Sequence, residues 1–329
     1  MSKIEFHKDI LVINDLEDLV KKITGKIRED IATRLNRFGG VVGLSGGIDS
    51  SVTMALTASA IGAEKVLGVM MPEKDSSPDS EELATKLAEK FGVPTITEVI
   101  TGALDGYQCY HRRDQAVKEL VPEYDPSVDK MKIGIKHQGI GSKLPPVFHL
   151  TVVNSDGTEI VKRLRSGQMR VIIAASNFKQ RARMSLLYYH AERLHYAVVG
   201  TPNKHEVDQG FFVKYGDGGS DLFPIGRLYK TQVYQLAEYL GIPNEIRERT
   251  PTTDTYSAEQ TQEEFFYEFP FKELDLLWFA YENGYDPEQV GSVMGRSASD
   301  ISLIYENFKR RNETTSYLRM KAINDYSFF

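Results

Sequence analysis

Along residues 14–37 the apolar side chains Leu16, Leu19, Val20, Ile23, Ile27 and Ile31 recur at steps of three and four. That is the spacing of one face of an amphipathic helix, and Asn14 or Asp15 stands where its cap is expected. Short continuous apolar runs follow. "GGVVGLS" (39–45), "KVLGVMMP" (65–72) and "PTITEVI" (94–100) read as buried strands. Helical spacing separates them at about 50–61 and 79–92, the second with a Ser80 cap and a Gly92 stop. Strands alternating with helices predict an α/β fold: a doubly wound, mostly parallel sheet with helices on both faces. Such sheets take ligands beyond the carboxyl ends of their strands.

The alternation breaks at 105–168, which is polar, carries "GIGSKLPP" and contains "VFHLTVVNSDGTEIVKRL". Asp-Gly between two β-rich runs signals a hairpin, so this stretch reads as an insertion with a β-hairpin near 147–164. The α/β pattern returns with a helix at about 177–194, the strand "YAVVG" (196–200), a long loop (201–227) and a helix at about 229–240. Beyond 270 the spacing is helical, at 271–283, 286–293 and 297–312. We expect a main domain over 1–262, with the insertion at about 105–168, and a helical extension over 263–329 packed on it.

Composition narrows the classes. The 329 residues carry 40 basic and 46 acidic side chains, a net charge of −6, which disfavours a broad nucleic-acid surface. A single cysteine, Cys109, excludes internal disulfides and multi-cysteine zinc sites and fits a reducing cytoplasm. No apolar stretch suits a signal peptide or a membrane span.

Candidate chemistry begins at "SGGIDSS" (45–51), directly after the first strand. A strand-to-helix turn offers free N–H groups and the positive end of a helix dipole, both attractive to phosphate. Gly46 and Gly47 let backbone approach an anion, and Ser45, Ser50 and Ser51 add hydroxyls. Asp49 beside a phosphate is repulsive unless a cation such as Mg²⁺ lies between them. The loop lacks the Gly-Lys-Ser/Thr ending of the Walker type; it resembles the pyrophosphate loop of the N-type ATP pyrophosphatases.

Three further segments resemble the ammonia-dependent NAD synthetases within that group. They are "SNFKQRARMSLLYYHAERLHYAVVGTPNKHE" (176–206), "FVKYGDGGSDLFPIGRLYKTQV" (212–233) and "RTPTTD" (249–254). The resemblance implies an adenine nucleotide alpha hydrolase-like fold and a ligase that adenylates the carboxylate of deamido-NAD with ATP, then amidates it with ammonia. It implies an ATP site of Gly43, Ser45, Gly46, Gly47, Asp49, Ser50, Ser51, Thr201, Lys230 and Thr252. Asp49 and Glu206 match its metal-contacting carboxylates, for Mg²⁺. Asn177, Arg181, Arg183, Lys214 and Asp217 match its substrate contacts, and Asp49, Asp217 and Lys230 its catalytic groups. It also implies a cytoplasmic homodimer, with "MSLLYYHAERL" (184–194) as a dimer element or, equally, a core helix. Nothing here provides a glutaminase, so ammonia is free or comes from a separate subunit.

Three features depart from that pattern: the insertion, the segment "TYSAEQTQEEFFYEFPF" (255–271), and a C-terminus reading "NFKRRNETTSYLRMKAIN" (307–324) without the family's His-Lys-Arg…Pro. All lie on the acceptor side. A related ligase for a different carboxylate therefore stays open. One cysteine and a negative net charge argue against a tRNA-thiolating relative. The presence of Asp49, Glu206 and Lys230 together argues against a non-catalytic nucleotide-binding regulator. His205 and His137 are assigned no role, and Cys109 has no evident base beside it.

Overall fold

A computed structural model of the chain describes residues 4–136, 147–252, 255–261 and 269–324. Its centre is a parallel sheet of β1 (Gly40–Leu44), β2 (Val66–Met70), β3 (Thr95–Thr97) and β7 (Ala197–Val199). The order is β3-β2-β1-β7, with Gly40 in register with Val66 on one side and Ala197 on the other. Successive strand residues point to opposite faces, and the apolar runs are continuous because both faces are covered. Val42, Met70 and Val199 enter the core under α1 (Leu16–Glu29), α2 (Ile48–Ile61), α3 (Pro78–Phe91) and α8 (Lys230–Tyr239). Val41, Val69 and Val198 enter the core on the other face, under α4 (Thr101–Gly106), α5 (Cys109–Lys118) and α6 (Ser166–Leu194).

Several boundaries differ from the sequence reading. Asp15 caps α1 by accepting from the Asp18 N–H, and α1 continues into a π-turn at Asp30–Arg34. Helix α3 begins after Ser77 with Pro78 in its first turn, so Ser80 is not its cap; Gly92 does end it, at φ +67°. The region read as a polar excursion opens with two helices, α4 and α5. It then forms a three-stranded antiparallel sheet of β4 (Lys130–Lys136), β5 (Val147–Val153) and β6 (Glu159–Arg163) in that order. The hairpin expected near 147–164 is β5–β6, turning at Asp156-Gly157, where Gly157 N–H meets the Asn154 carbonyl. The "GIGSKLPP" tract and His137 lie outside the described residues. Helix α6 starts at Ser166, eleven residues before the expected 177, and spans 29 residues.

After a short α9 (Asn244–Arg247), the C-terminal helices α10 (Phe271–Glu282), α11 (Pro287–Met294) and α12 (Ala298–Arg319) follow the expected spacing, with α12 running seven residues further. They share an aromatic core built on Trp278 and Phe308, to which Phe6 and Leu11 of the N-terminus and Tyr229 contribute. Among the described residues no helix is long and apolar enough to cross a membrane.

Candidate active site

Strand order reverses at β1: β2 lies on one side and β7 on the other. The chains leaving the carboxyl ends of β1 and β7 therefore diverge, and a crevice opens between them. "SGGIDSS" leaves β1 and Gly200-Thr201 leaves β7. A cavity of about 640 Å³ fills this crevice, lined by Gly43, Ser45, Gly47, Asp49, Ser50 and Thr201 among others. Gly46 has φ +71°, and a Cβ there would sit 2.5 Å from the Ser80 carbonyl oxygen. Its glycine is demanded by the turn and by the close pass of α3, not only by a ligand. The Ser50 and Ser51 hydroxyls both donate to the Gly47 carbonyl, at 2.9 and 2.8 Å. Ser51 is fully buried and does not line the cavity; its hydroxyl builds the turn. Ser45 Oγ accepts from the Gly47 N–H at 3.3 Å and lies 3.2 Å from Ser50 Oγ.

Asp49, in the first turn of α2, faces Lys230 at the start of α8 and forms an ion pair with it. Lys230 is fully buried. Burial works against its charge, but Asp49 and Glu206 outweigh that and hold its pKa above the ordinary value. Glu206 belongs to α7 (Lys204–Gln209), a short helix inside the expected 201–227 loop. The helix opens with a capping box: the Asn203 side chain accepts from the His205 and Glu206 N–H groups, and Glu206 Oε2 accepts from the Asn203 N–H at 2.9 Å. Asn203 Nδ2 also reaches Asp49 Oδ1 at 3.4 Å. Burial first, and the Asp49 carboxylate second, push the Glu206 carboxyl up to about 8. Two carboxylates crowded in this way have the donor set for a hydrated cation bridged to phosphate, which needs one or two protein carboxylates. Among the described residues no cluster of three or more such side chains could cage a metal by itself.

Helix α6 forms the flank of the cavity. Ile173, Ser176, Asn177, Gln180, Arg183 and Leu187 all line it, a stripe at helical spacing. Arg183 Nε donates to the Met71 carbonyl at 3.3 Å. Arg181 falls outside the stripe and is exposed. The 212–220 loop supplies Asp217, whose Oδ1 accepts from the Val213 N–H at 2.7 Å. Burial pushes the Asp217 carboxyl up to about 6, against the backbone N–H groups of Val213 and Gly218 and, more weakly, Arg183. Lys214 is turned away from the cavity; its ammonium donates to the Tyr317 and Met320 carbonyls at 2.9 and 3.0 Å, closing the end of α12. Thr252 lines the cavity, together with Arg249 and Thr250. The "MSLLYYHAERL" stretch is mixed: Leu187 and Tyr188 pack into the core, while Tyr189 is exposed.

Two buried clusters escaped the sequence reading. Lys179 donates to Glu73 Oε1 (2.8 Å), Asp75 Oδ2 (2.9 Å) and the Thr255 carbonyl (3.1 Å). Arg113 pairs with the same Asp75 at 2.6 Å and with Asp114 at 2.8 Å, and the Tyr110 hydroxyl donates to Glu73 at 2.7 Å. Cys109 lies beside this cluster, buried, its Sγ 3.1 Å from the Ala175 carbonyl, and burial pushes its thiol up. The second cluster is the fully buried pair His205–Asp275. Asp275, on α10, also accepts from the Thr231 N–H at 2.7 Å, next to Lys230. A carboxylate 45 residues downstream of Lys230 carries no local sign of that contact; only a lone Asp in an apolar helix, "FKELDLLWFA", marked it.

The profile of the NAD synthase family matches residues 16–137 and 149–315. The chain is 42% identical over 320 residues to the NH(3)-dependent NAD(+) synthetase of Rhizobium meliloti, covering 97% of this chain and 94% of that one. It is 33% identical to the NH(3)-dependent NAD(+) synthetase of Methanocaldococcus jannaschii, over 90% and 93% of the two chains. In fold it is similar to the NH3-dependent NAD synthetase of Campylobacter jejuni, with a TM-score of 0.62 at 22% identity, covering 95% of this chain and all of that one. It is also similar to the NMN synthetase of Francisella tularensis, with a TM-score of 0.61 at 20% identity, over 96% and 100%.

Proposed function

This chain belongs to the NAD synthase family, and from that premise we propose that it is an ammonia-dependent NAD synthetase. It joins ammonia to the carboxylate of deamido-NAD at the expense of ATP, releasing AMP and pyrophosphate. The observation that carries this reading is the meeting of Asp49, Lys230 and Glu206 at the mouth of the Ser45–Ser51 turn. Three elements distant in sequence bring charge to one point beside an anion-binding helix start.

The chemistry follows from the placement. The deamido-NAD carboxylate oxygen attacks the α-phosphorus of ATP, and the α–β bridging bond breaks to release pyrophosphate. The turn's N–H groups and Ser45 cradle the leaving pyrophosphate, and the Lys230 ammonium offsets its growing charge. Asp49 and Glu206 would hold Mg²⁺, which when bound neutralises phosphate charge and relieves the repulsion between the two carboxylates. Thr201, Ser50 and Thr252 border the same space and contact ATP. Asn177 and Arg183 present polar groups from α6 to the acceptor, and Asp217 holds ammonium close to it. Ammonia then adds to the acyl carbon, AMP leaves, and the protons released pass to solvent. Arg181 and Lys214, outside the cavity of the single chain, take a role only where a second copy packs along α6; a homodimer with exposed Tyr189 at its contact fits that arrangement. Residues 1–262 act as the synthetase domain and 263–329 as its helical buttress, in a cytoplasmic enzyme supplied with free ammonia or by a separate glutaminase.

The test is pyrophosphate release from Mg-ATP and ammonium chloride, with and without deamido-NAD. Release that depends on deamido-NAD, with NAD formed in equal amount, supports the proposal. Release with another carboxylate instead would reassign the acceptor.

A further inference from the structure

Two of the site's charges stand at the starts of separate helices. Glu206 lies in the first turn of α7, and Lys230 begins α8. Asp49 faces both, attracting Lys230 and repelling Glu206. Nothing in that triangle fixes how closely α7 approaches α8, so the spacing must be set from outside the cavity.

Helix α10 sets it with two carboxylates, Asp275 and Glu282, seven residues apart and hence on one face of the helix. Each gives one oxygen to α7 and the other to the start of α8. Glu282 Oε1 accepts from the Lys204 ammonium at 2.9 Å, and its Oε2 from the Tyr229 hydroxyl at 2.8 Å. Asp275 Oδ1 meets His205 Nε2, and its Oδ2 accepts from the Thr231 N–H at 2.7 Å. The clamped residues are the immediate neighbours of Glu206 on α7 and of Lys230 on α8.

Behind His205 the hydrogen bonds continue to α12. Gln209 Nε2 lies 2.9 Å from His205 Nδ1, and Arg311 Nη1 donates to Gln209 Oε1 at 2.8 Å. His205, Gln209 and Asp275 are fully buried, and Arg311 is half-buried at the outer end. The two ends decide the direction of every bond between them, because a guanidinium only donates and a carboxylate only accepts. Arg311 draws the Gln209 amide oxygen to itself, which turns the amide NH₂ toward His205. Nδ1 therefore accepts, and the ring proton stands on Nε2, where it donates to Asp275. Turning the amide over would set NH₂ against guanidinium and carbonyl against Nδ1, leaving buried polar groups unpaired at both contacts. Tyr229 and Trp278 stand edge-on to the imidazole, at 5.8 and 6.2 Å between centroids, and hold its plane.

We propose that Arg311, on the C-terminal helix, is a positioning residue for the reaction: through Gln209, His205 and Asp275 it fixes the approach of α7 to the start of α8, and with it the placement of Glu206 and Lys230 about the phosphates of ATP. This rests on the synthetase reading above and gives the C-terminal helices a part in turnover. Arg311 itself touches no substrate. A relay with one permitted direction holds its members more firmly than the same pairs would singly.

One test needs no variant. Nitrogen-15 spectra of the histidine imidazoles in the full-length wild type should place the His205 proton on Nε2 and leave Nδ1 bare. A proton on Nδ1 reverses the relay and overturns the proposal. The other test is a double-mutant cycle measuring kcat/KM for ATP and KM for deamido-NAD at saturating magnesium and ammonium. Arg311→Met and Gln209→Met should each lower kcat/KM for ATP about tenfold, short of the hundredfold loss that a 1 Å misplacement can bring. KM for deamido-NAD should stay close to the wild-type value. The double variant should lose no more than either single one, because Arg311 acts through Gln209. Losses that multiply in the double variant overturn the proposal. So does a lowered melting temperature with kcat/KM for ATP unmoved, or a KM for deamido-NAD that rises as far as kcat/KM for ATP falls. A wild type that releases no pyrophosphate with deamido-NAD overturns the synthetase reading and the role built on it, whichever tautomer the spectra show.

Discussion

Asp49 shows how one residue carries both stability and chemistry. It is the counter-charge of a fully buried lysine, and removing one member of such a pair leaves a buried charge uncompensated. Asp49→Asn should therefore abolish pyrophosphate release and also lower stability by about 2 kcal/mol, less than for an isolated pair because Glu206 still faces Lys230. The double variant Asp49→Asn/Lys230→Met should recover most of that stability and none of the turnover. Urea titration alongside the activity assay separates the two, and turnover in either variant would remove Asp49 from the machinery. Asp217 permits a pH test. Burial has pushed its carboxyl up to about 6, so it is negative above that pH and neutral below it. If its charge holds ammonium, KM for ammonium should rise steeply as pH falls from 7 to 5, after correction for the ammonia–ammonium balance. Asp217→Asn should show a high KM that no longer varies with pH across that window. A wild-type KM that is flat there would dissociate Asp217 from ammonium.

At the scale of elements, the fully buried Asp275 is a tie between two helices of the site. It takes His205 from α7 and the Thr231 N–H from α8, and these helices carry Glu206 and Lys230. Asp275→Asn should raise KM for ATP several-fold and lower stability by about 2–3 kcal/mol. A melting shift with KM for ATP unmoved would mean the tie serves folding alone. The elements also explain what could be read from the chain. The parallel core was legible because Val41-Val42, Val66–Met70 and Ala197–Val199 are continuous apolar runs, and the β1 turn because its glycines and serines have few other uses. Helix α5 was not, because the face it buries is ionic: Arg113 and Asp114 are inside, and a hydrophobic period cannot register them. Helix α6 looked eleven residues shorter because its first third packs on the insertion through Ile172 and carries the unbroken apolar run 171–175, which shows no helical period. Asn203-x-x-Glu206 is a capping box in plain sight; read only as a ligand motif, it concealed the helix it begins. Lys214 and Arg181 match binding positions by motif, yet one closes the end of α12 and the other faces solvent, because motif order does not fix which way a side chain turns.

For the whole molecule, the question is what holds the insertion at the cavity, since among the described residues its sheet shares no strand pairing with the central one. Alongside the apolar core around Met131 and Leu150, the attachment is the ionic cluster. Arg113 comes from α5, Lys179 from α6, Glu73 and Asp75 from the loop after β2, and the Thr255 carbonyl from the segment along β4. Burial raises the Asp75 carboxyl, but Lys179 and Arg113 outweigh it and hold it below its ordinary 3.8. A carboxyl depressed on folding contributes stability that is present above its unfolded value and is lost as pH falls through the folded one. Wild-type stability should thus decline as pH drops below about 4. Lys179→Met removes the cation between two carboxylates, one of them with no exposed side-chain surface. It should cost about 3–5 kcal/mol at pH 7, and the loss should shrink toward acid, where protonation of Asp75 removes its repulsion with Glu73. Denaturant titrations at pH 7 and pH 4 test both consequences. A Lys179→Met protein within 1 kcal/mol of wild type at pH 7 would assign the attachment to the apolar core alone.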